Sequence, residues 1–151
     1  MRTYLVVIDE TDEAETALRF AARRAAKTGG AVEALVIIPP ESFVTFGGVQ
    51  EAMQQDAIHH AEEVVARGIE TLGEEGAIKP DIKVRKGDPA KVIREAIAEN
   101  PEIGALVLGA AKSGKPGPLV AQFTGVDSGT LPCPIMIIPG GLSREALDRL
   151  S

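Results

Sequence analysis

The residues whose types and spacing could do chemistry fall in two places. One is Asp9-Glu10-Thr11-Asp12-Glu13, four acids in five positions, directly after the apolar run Tyr4 to Ile8. The other is Gly109-Ala110-Ala111-Lys112-Ser113-Gly114-Lys115-Pro116-Gly117-Pro118, with three glycines, two lysines and a serine ahead of a helical segment that opens on proline. An acid at the end of a buried strand can accept hydrogen bonds from an amine or a hydroxyl, such as those of adenine or ribose. It can equally cap the helix that follows. Amides freed by glycine, next to a helix N-terminus, suit a phosphate group. The same glycines can simply make the turns of a surface loop. Residue types alone leave both pairs of readings open.

Several sharper chemistries are excluded. Gly109 to Lys115 fits the first seven positions of the nucleotide-triphosphatase loop G-x-x-x-x-G-K-[ST], but Pro116 stands at the eighth. Proline has no hydroxyl for magnesium and no N–H for phosphate. The first strand is not followed by G-x-G-x-x-G, and the acids there would repel a pyrophosphate. His59 and His60 are the only histidines, and as neighbours on a helix they point about 100° apart. Asp56–His60 and His59–Glu63 have i,i+4 spacing, yet two ligands make a weak site, so a solvated helix face and no metal site are expected. Cys133, between Pro132 and Pro134, reads as a buried small hydrophobe, and a single cysteine makes neither a disulfide framework nor a thiolate zinc cage. No serine sits in a G-x-S-x-G elbow.

These candidates must be positioned by a chain of 151 residues, about one domain in length. With 16 Lys+Arg against 22 Asp+Glu, the net charge of −6 argues against electrostatic binding to nucleic acid or to an anionic membrane. Asp9 comes too early for a signal peptide, and no apolar run approaches the ~20 residues of a membrane span. A reduced, cytoplasmic protein of one domain is the expectation.

Apolar runs alternate regularly with segments of helical period. Strands are expected over Tyr4–Ile8, Ala31–Ile38, Asp81–Lys86, Ile103–Leu108 and Pro134–Ile138. Between them, a first helix carries a face of Ala14, Ala17, Leu18, Ala21 and Ala25, with Thr11 or Asp12 as its cap and Glu15 completing a capping box. After a loop holding Phe43 and Phe46, a second helix runs from about Val49 to Leu72, with Ala57, Ala61, Val64, Val65, Gly68, Ile69 and Leu72 as its stripe. A third is capped by Asp88 and opens on Pro89; a weaker fourth spans Pro118 to about Thr130; a tail helix covers Ser143–Leu150. Five strands joined this way predict a parallel sheet with helices on both faces, in one α/β domain over 1–139 with a tail over 140–151. Lys83 and Lys86 mark the third strand as a guarded edge.

Taken in order, Leu5-Val6-Val7-Ile8-Asp9 with an alanine-rich helix after it, Gly87-Asp88-Pro89-Ala90, Ala105-Leu106-Val107-Leu108-Gly109 and Leu131-Pro132-Cys133-Pro134-Ile135-Met136-Ile137-Ile138 resemble the universal stress protein family over nearly the whole chain. The resemblance implies strand order 3-2-1-4-5 and homodimerisation. Many members bind ATP, with the aspartate after the first strand at the adenosine and a G-2x-G-9x-G-(S/T) loop around the phosphates. Here Gly109 matches the first glycine, Lys112 replaces the second, and the third glycine and the hydroxyl residue fall on Ala121 and Gln122. Gly114 matches a loop glycine after deletion of one residue, and Gly117 is extra. The expectation is therefore a homodimeric, non-catalytic stress-response binding protein with a degenerate adenine-nucleotide site. Its residues would be Asp9, Gly109, Lys112, Ser113, Gly114 and Lys115, with ATP or AMP as weak ligands. The alternatives are an ATP/AMP sensor using Asp9 and the 109–117 loop, or a weak ATPase. An order of 3-2-1-4-5 makes the fifth strand an edge with no charge along it, so Ile135, Met136, Ile137 and Ile138 are the expected dimer interface, with the Leu142, Ala146, Leu147 and Leu150 stripe of the tail adding cover.

Overall fold

The computed structural model describes residues 2–38, 47–71 and 78–151. Its strands are β1 (Thr3–Val7), β2 (Ala31–Ile38), β3 (Asp81–Lys86), β4 (Ile103–Ala110) and β5 (Ile135–Pro139). Its helices are α1 (Asp12–Thr28), α2 (Gly47–Thr71), α3 (Pro89–Glu99), α4 (Pro118–Thr124) and α5 (Arg144–Leu150). All strand pairs are parallel, in the order β3-β2-β1-β4-β5. The loop expected around Phe43 and Phe46, and Leu72 of the expected second helix, lie outside the described residues.

The alternation of side chains along a strand divides the core in two. Tyr4, Val6, Ile8, Val32, Ala34, Val36, Val107 and Ile138 bury on one face, under α1, α2 and α5. Leu5, Val7, Leu35, Ile103, Leu106 and Leu108 bury on the other, under α3 and α4. Strands β1, β2 and β4 are apolar on both faces apart from buried Thr3 and Glu33, because both faces are covered, whereas β3 alternates between exposed and half-buried positions. Ala14, Ala17, Ala21, Ala22 and Ala25 are all buried, so small side chains let α1 lie close on the sheet.

Local chemistry places the helix ends. The Asp88 carboxylate accepts from the Lys91 amide at 3.2 Å, with Pro89 at the first helical position of α3. The capping box expected at Asp12 and Glu15 is not formed. Thr11 is the N-cap of α1 but makes no side-chain cap bond, because its hydroxyl donates to Asp9 instead. Helix α4 ends at Thr124 rather than near Thr130. Between Thr124 and Thr130 the one large apolar side chain, Val126, is exposed, and the backbone turns through Gly125 with Ser128 N donating to Gly125 O at 3.2 Å. Strand β4 runs two residues past Leu108, since Gly109 and Ala110 pair with Ile138 and Pro139.

The tail docks on α1, with Leu142 and Leu147 in the same core cluster as Met136 and Ile138 of β5. Leu147 is buried in the α1 side of the core, while Leu150 stays exposed. Arg19, Arg23 and Lys27 recur every four residues and so form one ridge on α1. Arg19 grips Asp148 through two bonds of 2.9 Å, Nε to Oδ1 and Nη2 to Oδ2. Arg23 Nε donates to Ser151 Oγ at 2.8 Å, its Nη2 to Asp148 O at 3.0 Å, and Lys27 Nζ donates to Ser151 O at 2.8 Å. The Arg19 guanidinium, helped by the charges of Arg23 and Arg144, holds the Asp148 carboxyl below the usual carboxylate range. A carboxyl that ionises more readily in the folded state contributes stability above its unfolded pKa of ~3.9, and loses it as pH falls through the lower folded value. Asp148→Asn is therefore expected to speed hydrogen exchange at the Leu147 and Ser151 amides about fivefold at neutral pH, the equivalent of a contact of about 1 kcal/mol. It should also remove the further loosening that wild type shows in acid. Equal protection in both proteins at every pH would place the hold of the tail elsewhere.

Candidate functional site

In an open parallel sheet a crevice forms beyond the carboxyl ends of the strands, where successive connections leave in opposite directions. Here that point lies between β1 and β4, because β1 continues to β2 on one side and β4 to β5 on the other. A cleft of about 230 Å³ opens there. Val7 and Ile8 line it from the end of β1 with Asp9 just beyond them, and Thr11, Glu13 and Ala14 of the α1 start form one wall. Ile37, Pro89 and Leu108 close it from the neighbouring strands and α3, and residues Pro116 to Val120 form the opposite wall. Pockets for drug-sized ligands run from roughly 300 Å³ upward, so this cleft has room for part of a nucleotide rather than the whole of a triphosphate.

Asp9 is held from several directions. Its Oδ1 accepts from the Thr11 amide at 2.9 Å and also from the Thr11 hydroxyl, closing an Asx-turn. Its backbone carbonyl lies 3.1 Å from Nε2 of His60, on α2. Among the described residues, Oδ2 of Asp9 has no protein partner. The carboxylate thus keeps one oxygen with acceptor capacity at the rim of an apolar cleft.

Gly109 lines the cleft and has a packing role as well. A Cβ there would meet the Glu13 carbonyl oxygen and come within 2.6 Å of its carbon, so the first turn of α1 fits against β4 only because position 109 carries no side chain. Beyond it, Ala111 N donates to Pro116 O at 3.1 Å and closes the loop on itself. Gly117, at φ +118° and ψ 155°, adopts a conformation essentially reserved for glycine and turns the chain into α4. Of the three loop residues facing the cleft, Pro116 and Pro118 have no N–H to offer.

Of the six residues expected at a nucleotide, the structure brings Asp9 and Gly109 to the cleft. Lys112, Ser113, Gly114 and Lys115 are exposed on the loop and do not line it. Among the described residues, the ionisable groups lining the cleft are the carboxylates of Asp9 and Glu13, with no Lys, Arg or His. That charge suits hydroxyl and amine donors and opposes a polyphosphate inside the cleft. Reading the residues put Glu13 and Pro116-Gly117-Pro118 inside the two candidate stretches without listing Glu13, Pro116 or Pro118 as site residues, and missed His60. The signal for His60 was its phase, since it stands three residues after Ala57 and four before Val64, beside the buried stripe. His59, by contrast, is exposed and pairs with Glu63 at 3.1 Å.

Elsewhere, no cluster of three or more His, Cys, Asp or Glu that could hold a metal occurs among the described residues. Cys133 is half-buried against the α3 side of the core, and burial pushes its thiol up. Ile135, Met136 and Ile137 of the β5 edge are partly exposed, Ile137 at 37%, and Ile138 is buried. No described helix is long and apolar enough to cross a membrane.

Comparison with curated protein sequences finds no match. Among solved structures, universal stress protein UspA from Lactobacillus plantarum superposes with a TM-score of 0.73 at 20% identity, covering 91% of this chain and 97% of that one. A universal stress protein from Archaeoglobus fulgidus, in complex with dAMP, gives 0.57 at 20% identity over 91% and 97% of the two chains. One from Arabidopsis thaliana, with AMP bound, gives 0.54 at 13% identity over 92% of each. The sequence model described as the universal stress protein family matches residues 1–139, and the chain belongs to that family.

Proposed function

We propose that this chain is a non-catalytic binding protein of the stress response, with a degenerate adenine-nucleotide site and a homodimeric assembly. The observation that carries the ligand reading is Asp9: a carboxylate with one oxygen unengaged, at the rim of an apolar cleft at the sheet's switch point. The dAMP and AMP held by the Archaeoglobus and Arabidopsis proteins support adenine nucleotides as the class. In this reading the nucleoside occupies the cleft, with a ribose hydroxyl on Asp9. Phosphates extend past Gly109 toward the exposed residues Lys112, Ser113, Gly114 and Lys115, where the lysines attract them through solvent.

Affinity is then limited by the phosphate end. Close amide contacts to an anion are worth about 1.5–3 kcal/mol each, and the Pro-Gly-Pro wall supplies few of them. Titration calorimetry on nucleotide-free protein should show AMP bound at micromolar concentration or weaker, with ATP gaining little over AMP. Asp9→Ala should weaken AMP at least tenfold, the equivalent of one charge-assisted hydrogen bond. Submicromolar ATP binding would favour the sensor reading instead.

The assembly reading rests on the β5 edge, where Ile135, Met136, Ile137 and Ile138 carry no charge. Among the described residues no strand lies beside its outer edge, and a symmetric copy would pair its backbone groups. Ile137→Lys is expected to sediment as a monomer. A dimer with an unchanged dissociation constant would send the interface elsewhere.

A further inference from the structure

We infer that His60 is a positioning residue of the cleft, acting through the main chain of Asp9. This rests on the adenine-nucleotide reading of that cleft. The contact joins residues 51 apart in sequence, from the middle of α2 to the end of β1, at 3.1 Å. A carbonyl oxygen only accepts, so Nε2 of His60 carries the hydrogen of this contact. The ring is half-buried, on the helix face that also buries Ala61, Val64 and Val65 in the core, so α2 presents it from a fixed base. The neighbouring His59 stays in solvent beside Glu63.

The consequence for Asp9 follows from peptide geometry. The Asp9 carbonyl and the Glu10 amide belong to one rigid plane, so the bond from His60 fixes that plane's rotation. Thr11, one residue further on, holds Oδ1 of the same aspartate through its amide and hydroxyl. The backbone and the side chain of Asp9 are therefore pinned at separate points, and the direction of its remaining oxygen is set before a ligand arrives. Releasing the carbonyl would let the Asp9–Glu10 peptide turn and carry Thr11 with it. In a cleft whose described lining has no lysine or arginine, that orientation is the main source of polar selectivity.

The test is an AMP titration of four proteins by calorimetry, with melting temperatures taken alongside. Relative to wild type, His60→Ala should weaken AMP about tenfold, whereas His59→Ala should leave it unchanged. His60→Gln, whose amide nitrogen can stand where Nε2 stands, should recover most of the loss. Imidazole nitrogen spectra of the wild type should show His60 as the Nε2–H tautomer. The inference is overturned if His60→Ala binds AMP like wild type, if His60→Gln is as weak as His60→Ala at an equal melting temperature, or if His60 carries its hydrogen on Nδ1. Failure of wild type to bind AMP at all would instead overturn the reading of the cleft, and the role of His60 with it.

Discussion

The approach of α1 to the end of β4 is the constraint on which the rest depends. Gly109 lies against the backbone of Glu13 so closely that a single methyl group would not fit. That approach brings the acidic first turn of α1 to the switch point of the sheet, and it makes Thr11, Glu13 and Ala14 a wall of the cleft. Overpacked sites of this kind are relieved only by moving backbone, at a cost of about 1–3 kcal/mol. The glycine that family resemblance associates with a phosphate is thus also needed to assemble the aspartate side of the cleft.

The same region meets the tail. Gly140, just past β5, donates its amide to Ala110 O at 2.7 Å, and a Cβ there would come within 3.1 Å of the Glu13 side chain. From that point the chain crosses to α1 and is fastened along the Arg19, Arg23 and Lys27 ridge. Helix α1 is therefore fixed at its start by β4 and along its outer face by a helix that lies beyond the residues matched by the family model. Its position over the sheet is over-determined, which suits an element that forms part of a binding wall.

How much of this could be read from the residues varied with the kind of force involved. That β3 is an edge followed from burial, because it alternates with charge along its length, whereas the full strand order came from the family resemblance. The cap at Asp88 followed from local hydrogen bonding, which a short stretch of sequence contains in full. The α1 cap did not, because the Thr11 hydroxyl, which would accept from a first-turn amide as a cap, instead donates to the carboxylate of Asp9. The role of His60 depends on a contact across 51 residues, and no local pattern encodes such a distance. The loop after β4 was legible as a glycine-rich turn, but which of its residues face inward depends on the closure of Ala111 on Pro116 and on the backbone of Gly117. Composition drew attention to the lysines, whereas geometry put the prolines at the cleft.

The two margins of the sheet differ in a way that bears on how large an assembly can grow. Along β3, Lys83 lies beside Asp81, Arg85 beside Glu99, and Lys86 closes the strand; β5 presents Ile135, Met136 and Ile137 with no charge among them. A sheet with two adhesive margins is a bifunctional monomer and can polymerise end to end, as fibres do. With one margin occupied by ion pairs, the sheet would act as a monofunctional unit, a chain terminator rather than a link. If two copies pair through β5 as proposed above, association through strand margins stops at two.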